Sequence, residues 1–120
     1  MLNAYMQTIP GLFGPFETGF LLAESPSTYS GIYPFYEWTL NSTNRPNRYW
    51  SFQLTSAQMD ALLKVGTHAA MYKYVRVHSP LFAGSVRTQW LVDKTPGYVY
   101  ELPSVMARAP DVPVLVIQRP

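Results

Sequence analysis

The stretch MYKYVRVH, Met71–His78, governs how the rest of the chain is read. Met71, Lys73, Val75 and Val77 alternate with Tyr72, Tyr74, Arg76 and His78. This period-2 pattern, rich in Tyr and Val, predicts a strand with the tyrosines, Arg76 and His78 on one face. The same alternation recurs outward along the chain. In FYEWTL, Tyr36, Trp38 and Leu40 oppose Phe35, Glu37 and Thr39, and in YWSFQL, Trp50, Phe52 and Leu54 alternate with Tyr49, Ser51 and Gln53. The polar connector NSTNRPNR, Asn41–Arg48, suits a hairpin loop between those two.

Four more segments read as strands: TGFLLAE (Thr18–Glu24), VRTQWLV (Val86–Val92), YVYEL (Tyr98–Leu102) and VPVLVIQ (Val112–Gln118). Thr95-Pro96-Gly97-Tyr98 carries Pro then Gly, the signature of a type II turn, and predicts a hairpin between the second and third of these. Val112–Gln118 is apolar on both faces and should be covered on both, by its own fold or by a neighbour.

One helix stands out, over about Ser56–Val65. Thr55 and Gln58 match a capping box, Leu54 and Met59 a hydrophobic staple, and Gly66 a stop. The expected fold is therefore α+β and mainly β: an antiparallel sheet or sandwich of about six or seven strands with one short helix. An all-β sandwich or barrel is the alternative. Residues 1–34, punctuated by Pro10, Pro15, Pro26 and Pro34 and by four glycines, read as an extended N-terminal arm holding the strand at 18–24. Residues 35–120 read as one β-rich domain.

The composition narrows the function. At 120 residues the chain fits one domain, and 48% hydrophobic residues make it globular. Only 13% are charged while 15% are aromatic, so some apolar, Tyr-rich surface should meet a partner. Residues 1–60 are net acidic and 61–120 net basic, too mild a split for a dedicated duplex-binding protein, so nucleic acid is not the expected partner. With no Cys there are no disulfides, thiolate nucleophiles or cysteine-bound metals. No apolar run reaches the ~20 residues that span a bilayer.

The opening MLNAYMQTIPGLFGPF has no charge before Glu17, yet it lacks the basic start of a signal peptide, and its prolines and glycines interrupt any apolar helix. His68 and His78 are the only histidines and fit no metal-ligand spacing. AGSVR around Ser85 lacks the second Gly of a nucleophile elbow, GLFG lacks the Lys of a phosphate loop, and no pair among Glu17, Glu24, Glu37 and Glu101 is singled out as a catalytic pair. Asn41-Ser42-Thr43 matches a glycosylation sequon and marks an exposed loop.

These features predict a protein that is not an enzyme and uses no cofactor or metal. It should be a structural subunit of a homo-oligomeric particle, holding its neighbours through Leu2, Tyr5, Met6, Ile9, Leu12, Phe13 and Phe16. Small virion proteins of bacterial viruses, such as capsid decoration or cement subunits and tail or neck components, are similar in these general terms. That likeness implies a place in a virion assembled in host cytoplasm; the alternative location is cytoplasmic. The alternative function is a small module for glycans or single-stranded nucleic acid, with Tyr49, Trp50, Tyr72, Tyr74 and Arg76 as its ligand face.

Overall fold

The computed structural model describes residues 8–14, 17–39, 52–82 and 90–116. The chain is mostly helical among the described residues, 55% helix against 5% strand, which overturns the expected sheet, sandwich or barrel. Among the described residues the helices are α1 (Phe35–Thr39), α2 (Ser56–Leu62), α3 (His68–His78) and α4 (Leu102–Arg108). Shorter 3-10 turns cover Phe20–Leu22, Pro26–Gly31, Pro80–Phe82 and Pro96–Glu101. Two short strands, β1 (Leu12–Phe13) and β2 (Trp90–Leu91), pair in parallel rather than antiparallel, with Leu12 opposite Trp90 and Phe13 opposite Leu91.

Met71–His78 is the centre of the correction. It belongs to an eleven-residue helix whose buried side chains are His68, Met71 and Val75, one stripe at helical spacing. Thr67 caps its start, accepting a hydrogen bond from the Ala70 N–H at 3.1 Å. Arg76 and His78 lie in its last turn, where the Arg76 guanidinium complements the helix dipole. Ser79 ends it, with its hydroxyl donating to the Phe52 carbonyl at 2.7 Å.

The other strand readings fail for local reasons. Phe35–Thr39 is helical, with Phe35 and Trp38 one turn apart in an edge contact at 5.3 Å. The segment read as a strand at 18–24 turns through a 3-10 helix instead. Thr95–Tyr98 does close a turn, Tyr98 N–H to Thr95 carbonyl at 3.1 Å. Gly97 is not at positive φ, however, so the chain continues as 3-10 helix into α4 and forms no hairpin. Of Val86–Val92 only Trp90–Leu91 is strand among the described residues, and of Val112–Gln118 the described part, 112–116, pairs in no ladder. Residues 40–51 lie outside the described residues, and with them the expected hairpin loop.

The helix expected from its capping box is present. The Thr55 side chain accepts from the Gln58 N–H at 3.2 Å, and the Gln58 side chain accepts from the Thr55 N–H at 2.9 Å. It ends at Leu62 rather than Val65, and Met59 and Leu62 enter the core with Leu54.

Phe20 is the centre of that core. Its fully buried ring meets Tyr29 and Tyr72 edge-on at 4.9 and 5.1 Å and Phe52 at 6.0 Å. The segment around it, 17–34, was expected to extend as an arm. It is instead folded into two 3-10 turns that bury Phe20, Ala23 and Tyr29.

Two glycines permit this. Gly19 sits at φ 65°, and a Cβ there would fall 2.4 Å from Cγ of Phe35, so the ring lies directly on the glycine. At Gly14 a Cβ would fall 2.3 Å from the Val92 carbonyl oxygen, so only glycine admits the close approach beside β1.

Candidate functional site

The densest polar constellation is a knot on the Asp93 carboxylate. One oxygen accepts from the Thr95 hydroxyl at 2.8 Å and the Thr18 N–H at 3.2 Å. The other accepts from the Thr18 hydroxyl and from the Tyr72 and Tyr98 hydroxyls, each tyrosine at 2.6 Å. Further bonds spread outward. The Gly19 N–H donates to the Thr95 hydroxyl oxygen, the Leu21 N–H to the Tyr98 hydroxyl oxygen, and the Tyr29 hydroxyl to the Thr18 carbonyl at 2.6 Å. Arg108 from α4 donates to the Leu21 carbonyl at 2.7 Å, tying the last helix to the same turn.

Both Asp93 oxygens are engaged by this shell. A carboxylate that accepts from five donors acts as a tie between segments. It joins the 17–21 turn, α3 and the 93–98 turn, which no sheet connects among the described residues.

The knot has an alkaline consequence. Burial is the main cause that raises the hydroxyl pKa values of Tyr29, Tyr72 and Tyr98 above the ordinary 10.0, and the Asp93 charge adds to it at all three. In the unfolded chain these groups lose their protons near pH 10, while the fold retains them to higher pH. The unfolded state then binds fewer protons, so stability is full below about pH 10 and falls as pH rises beyond it. Each such tyrosine contributes a slope of about 1.4 kcal/mol per pH unit. Denaturant melts between pH 9 and 12 should show this fall, and Tyr72→Phe should make it shallower by about a third; an equal slope in the variant would contradict the assignment.

The outer side of α3 is the second feature. Tyr72, Lys73, Arg76, Trp90 and Leu91 line one shallow groove, and Ala70, Lys73, Tyr74, Val77 and His78 line its neighbour, with Lys73 shared. Trp90 is 60% exposed, and Tyr74 lies over His78 at 4.2 Å between ring centres. The third feature is apolar surface near the C-terminal end. Tyr100 is 90% exposed and Leu115 71%, and Val99, Met106, Val112, Val114 and Val116 are exposed too.

The residues expected from sequence to form a site fall as follows. Of the arm, Leu2, Tyr5, Met6 and Phe16 lie outside the described residues. Ile9 is exposed, Leu12 is half-buried in β1, and Phe13 pairs through its backbone with Leu91. Of the ligand face, Tyr49 and Trp50 lie outside the described residues. The helix separates Tyr72, whose hydroxyl turns inward to Asp93, from Tyr74, while Arg76 stays exposed beside Tyr72. His68 is buried, its Nε2 2.8 Å from the Ala23 carbonyl, an interior hydrogen bond. Among the described residues no cluster of His, Asp or Glu is arranged to hold a metal, and no helix is long and apolar enough to cross a membrane.

Asp93, Thr18, Tyr98, Lys73 and Trp90 were not singled out from sequence. The one local hint of the knot is D-x-T at Asp93-Lys94-Thr95, a spacing at which a carboxylate accepts from the hydroxyl two residues on. Compared with known proteins, the chain matches no family model, no curated protein and no solved structure.

Proposed function

We propose that the chain is a non-enzymatic structural subunit of an oligomeric particle, and that a bacteriophage virion is the setting its composition fits. The observation that carries this reading is the segment Val112–Val116. It is apolar, exposed along its length and in no helix or ladder, and it follows α4 and the exposed Val99, Tyr100 and Met106. Surface of this kind marks a site of protein contact. Val112–Gln118 was expected to be covered on both faces, and in a subunit of this kind the cover comes from a neighbour.

Burying the exposed side chains of Val112, Val114, Leu115 and Val116 stabilises a contact by several kcal/mol at about 25 cal/mol per Å². After the cost of association that is weak for one contact, near the millimolar range, and becomes firm only when repeated around a closed assembly. A particle subunit supplies that repetition. The apolar arm residues Ile9 and Leu12 extend the same capacity, with Leu2, Tyr5, Met6, Phe13 and Phe16 as further contacts.

Light scattering of the purified chain across concentration tests the reading. The full chain should form a defined oligomer. Deleting residues 112–120 should cut the association constant at least tenfold while leaving the helical circular dichroism and melting temperature unchanged. A full chain that stays monomeric at millimolar concentration, or a truncated one of unchanged mass, would refute it.

A further inference from the structure

We propose that Val112–Val116 of one copy adds as an edge strand to β2 of the next, entering the groove between β2 and α3. This contact rests on the assembly reading above and names the partner of its apolar segment. The acceptor is the open edge of β2. The Trp90 N–H donates to the Gly11 carbonyl at 2.9 Å, so Trp90 turns its backbone polar groups toward β1. Successive residues of a strand point these groups to opposite edges, which places the Leu91 N–H and carbonyl on the edge away from β1. Among the described residues the sheet ends there, at two strands. An edge of this kind is a template for a strand from another chain.

The space beside that edge suits a strand. A groove of about 280 Å³ lies between β2 and α3, lined by Trp90 and Leu91 on one side and by Tyr72, Lys73 and Arg76 on the other, and no residue of β1 borders it. The Trp90 ring is 60% exposed and can cover an apolar side chain laid against it. The donor is the one apolar stretch that lies open along its length. Val112–Val116 is exposed throughout, pairs in no ladder among the described residues and does not line the groove of its own chain. Its Val112 N–H is held by the Ala109 carbonyl at 3.2 Å, which ties the segment to the end of α4. Drawn out as a strand, Val114 and Val116 offer N–H and carbonyl groups on one edge, while Pro113 lacks an N–H on the other. The segment therefore joins a sheet on one edge and caps it, rather than seeding a continuing stack.

The area involved favours a ring of copies over an isolated pair. The exposed side chains of the segment and Trp90 offer roughly a few hundred Å², short of the about 800 Å² that each partner gives a standard interface. Each copy carries one segment and one open edge, so head-to-tail repetition closes a ring in which every copy gives and receives a strand.

The test is chemical cross-linking of the full-length chain, which has no native cysteine. One preparation carries Lys73→Cys, in the groove, and the other Val114→Cys. Both positions are exposed, so unchanged circular dichroism is expected of each. After mixing and equilibration, a short bismaleimide should join the two chains to each other and neither to itself. Val99→Cys in place of Val114→Cys should give no product. Backbone pairing is read by light scattering. Val116→Pro should lower the association constant about three- to tenfold more than Val116→Ala, because both trim the side chain and only proline removes the edge donor. Oligomers that dissociate on deletion of residues 112–120 yet give no cross-link between the two sites would overturn this contact and leave the assembly reading standing. So would Val116→Pro matching Val116→Ala. A full chain that stays monomeric at millimolar concentration would overturn both.

Discussion

Asp93→Ala should lower the stability of the fold by about 3–5 kcal/mol, because it strips several part-buried donors of their acceptor at about 1–3 kcal/mol each. The carboxylate is the common acceptor for Thr18, Thr95, Tyr72 and Tyr98, and it is the one group that bonds to all four of these residues at once. Without it the Tyr72, Tyr98 and Thr18 hydroxyls lose the acceptor for their protons and face only one another, Tyr72 to Tyr98 at 3.4 Å and Thr18 to Tyr98 at 3.5 Å, although the Tyr98 and Thr18 oxygens still accept from the Leu21 and Phe20 N–H groups. Against a total of about 5–15 kcal/mol for a domain, this is a large fraction. The melting temperature should fall by roughly 10–20 °C.

Asp93→Asn separates the carboxylate's charge from its shape. The amide keeps one acceptor oxygen and turns the other position into a donor facing hydroxyls, so it should lie between the wild type and Asp93→Ala. Melting curves of the three proteins decide it. A loss under about 1 kcal/mol for Asp93→Ala would mean that water replaces the carboxylate readily and that the knot does not hold the segments together.

The parts of the fold legible in sequence are those encoded within four residues. Thr55 and Gln58 announce α2 because a capping box needs only neighbours in the chain. Met71–His78 misleads because positions i and i+4 share a face in both a strand and a helix, so Met71 and Val75 satisfy either period. The residues that separate the two lie outside the alternating run. His68 is in phase with Met71 and Val75 only at helical spacing, and Thr67 supplies a cap that no strand requires. At Tyr98–Leu102 the overlooked signal was Pro103, which suits the first turn of a helix and opens α4.

The Asp93 knot was out of reach for a different reason. Its donors stand 2, 5, 21 and 75 residues away along the chain, so only the tertiary fold brings them together. Trp90 escaped notice because the alternation of Val86–Val92 does not distinguish a ring that packs from one that faces solvent.

Phe20→Ala should cost about 3–5 kcal/mol by the same melts, as do other deletions of a fully buried aromatic ring. Its ring has no exposed surface, and three aromatic neighbours approach it within 6.0 Å. These edge and tilted contacts add to the burial term, and the cavity left by alanine would be walled by rings that cannot collapse without leaving their hydrogen bonds. Tyr29 is held by its bond to the Thr18 carbonyl, and Tyr72 by its bond to Asp93. The core and the knot therefore share side chains, and their energies should not add. In a double-mutant cycle of Phe20→Leu with Tyr72→Phe, chosen so that every variant stays folded, the coupling should be about 0.5–1 kcal/mol or more. Strict additivity would mean that the Tyr72 ring is positioned without help from Phe20. A coupled pair would instead show how a chain with so few strands holds its turns in place, with one aromatic residue seated in the core at its ring and in the polar knot at its hydroxyl.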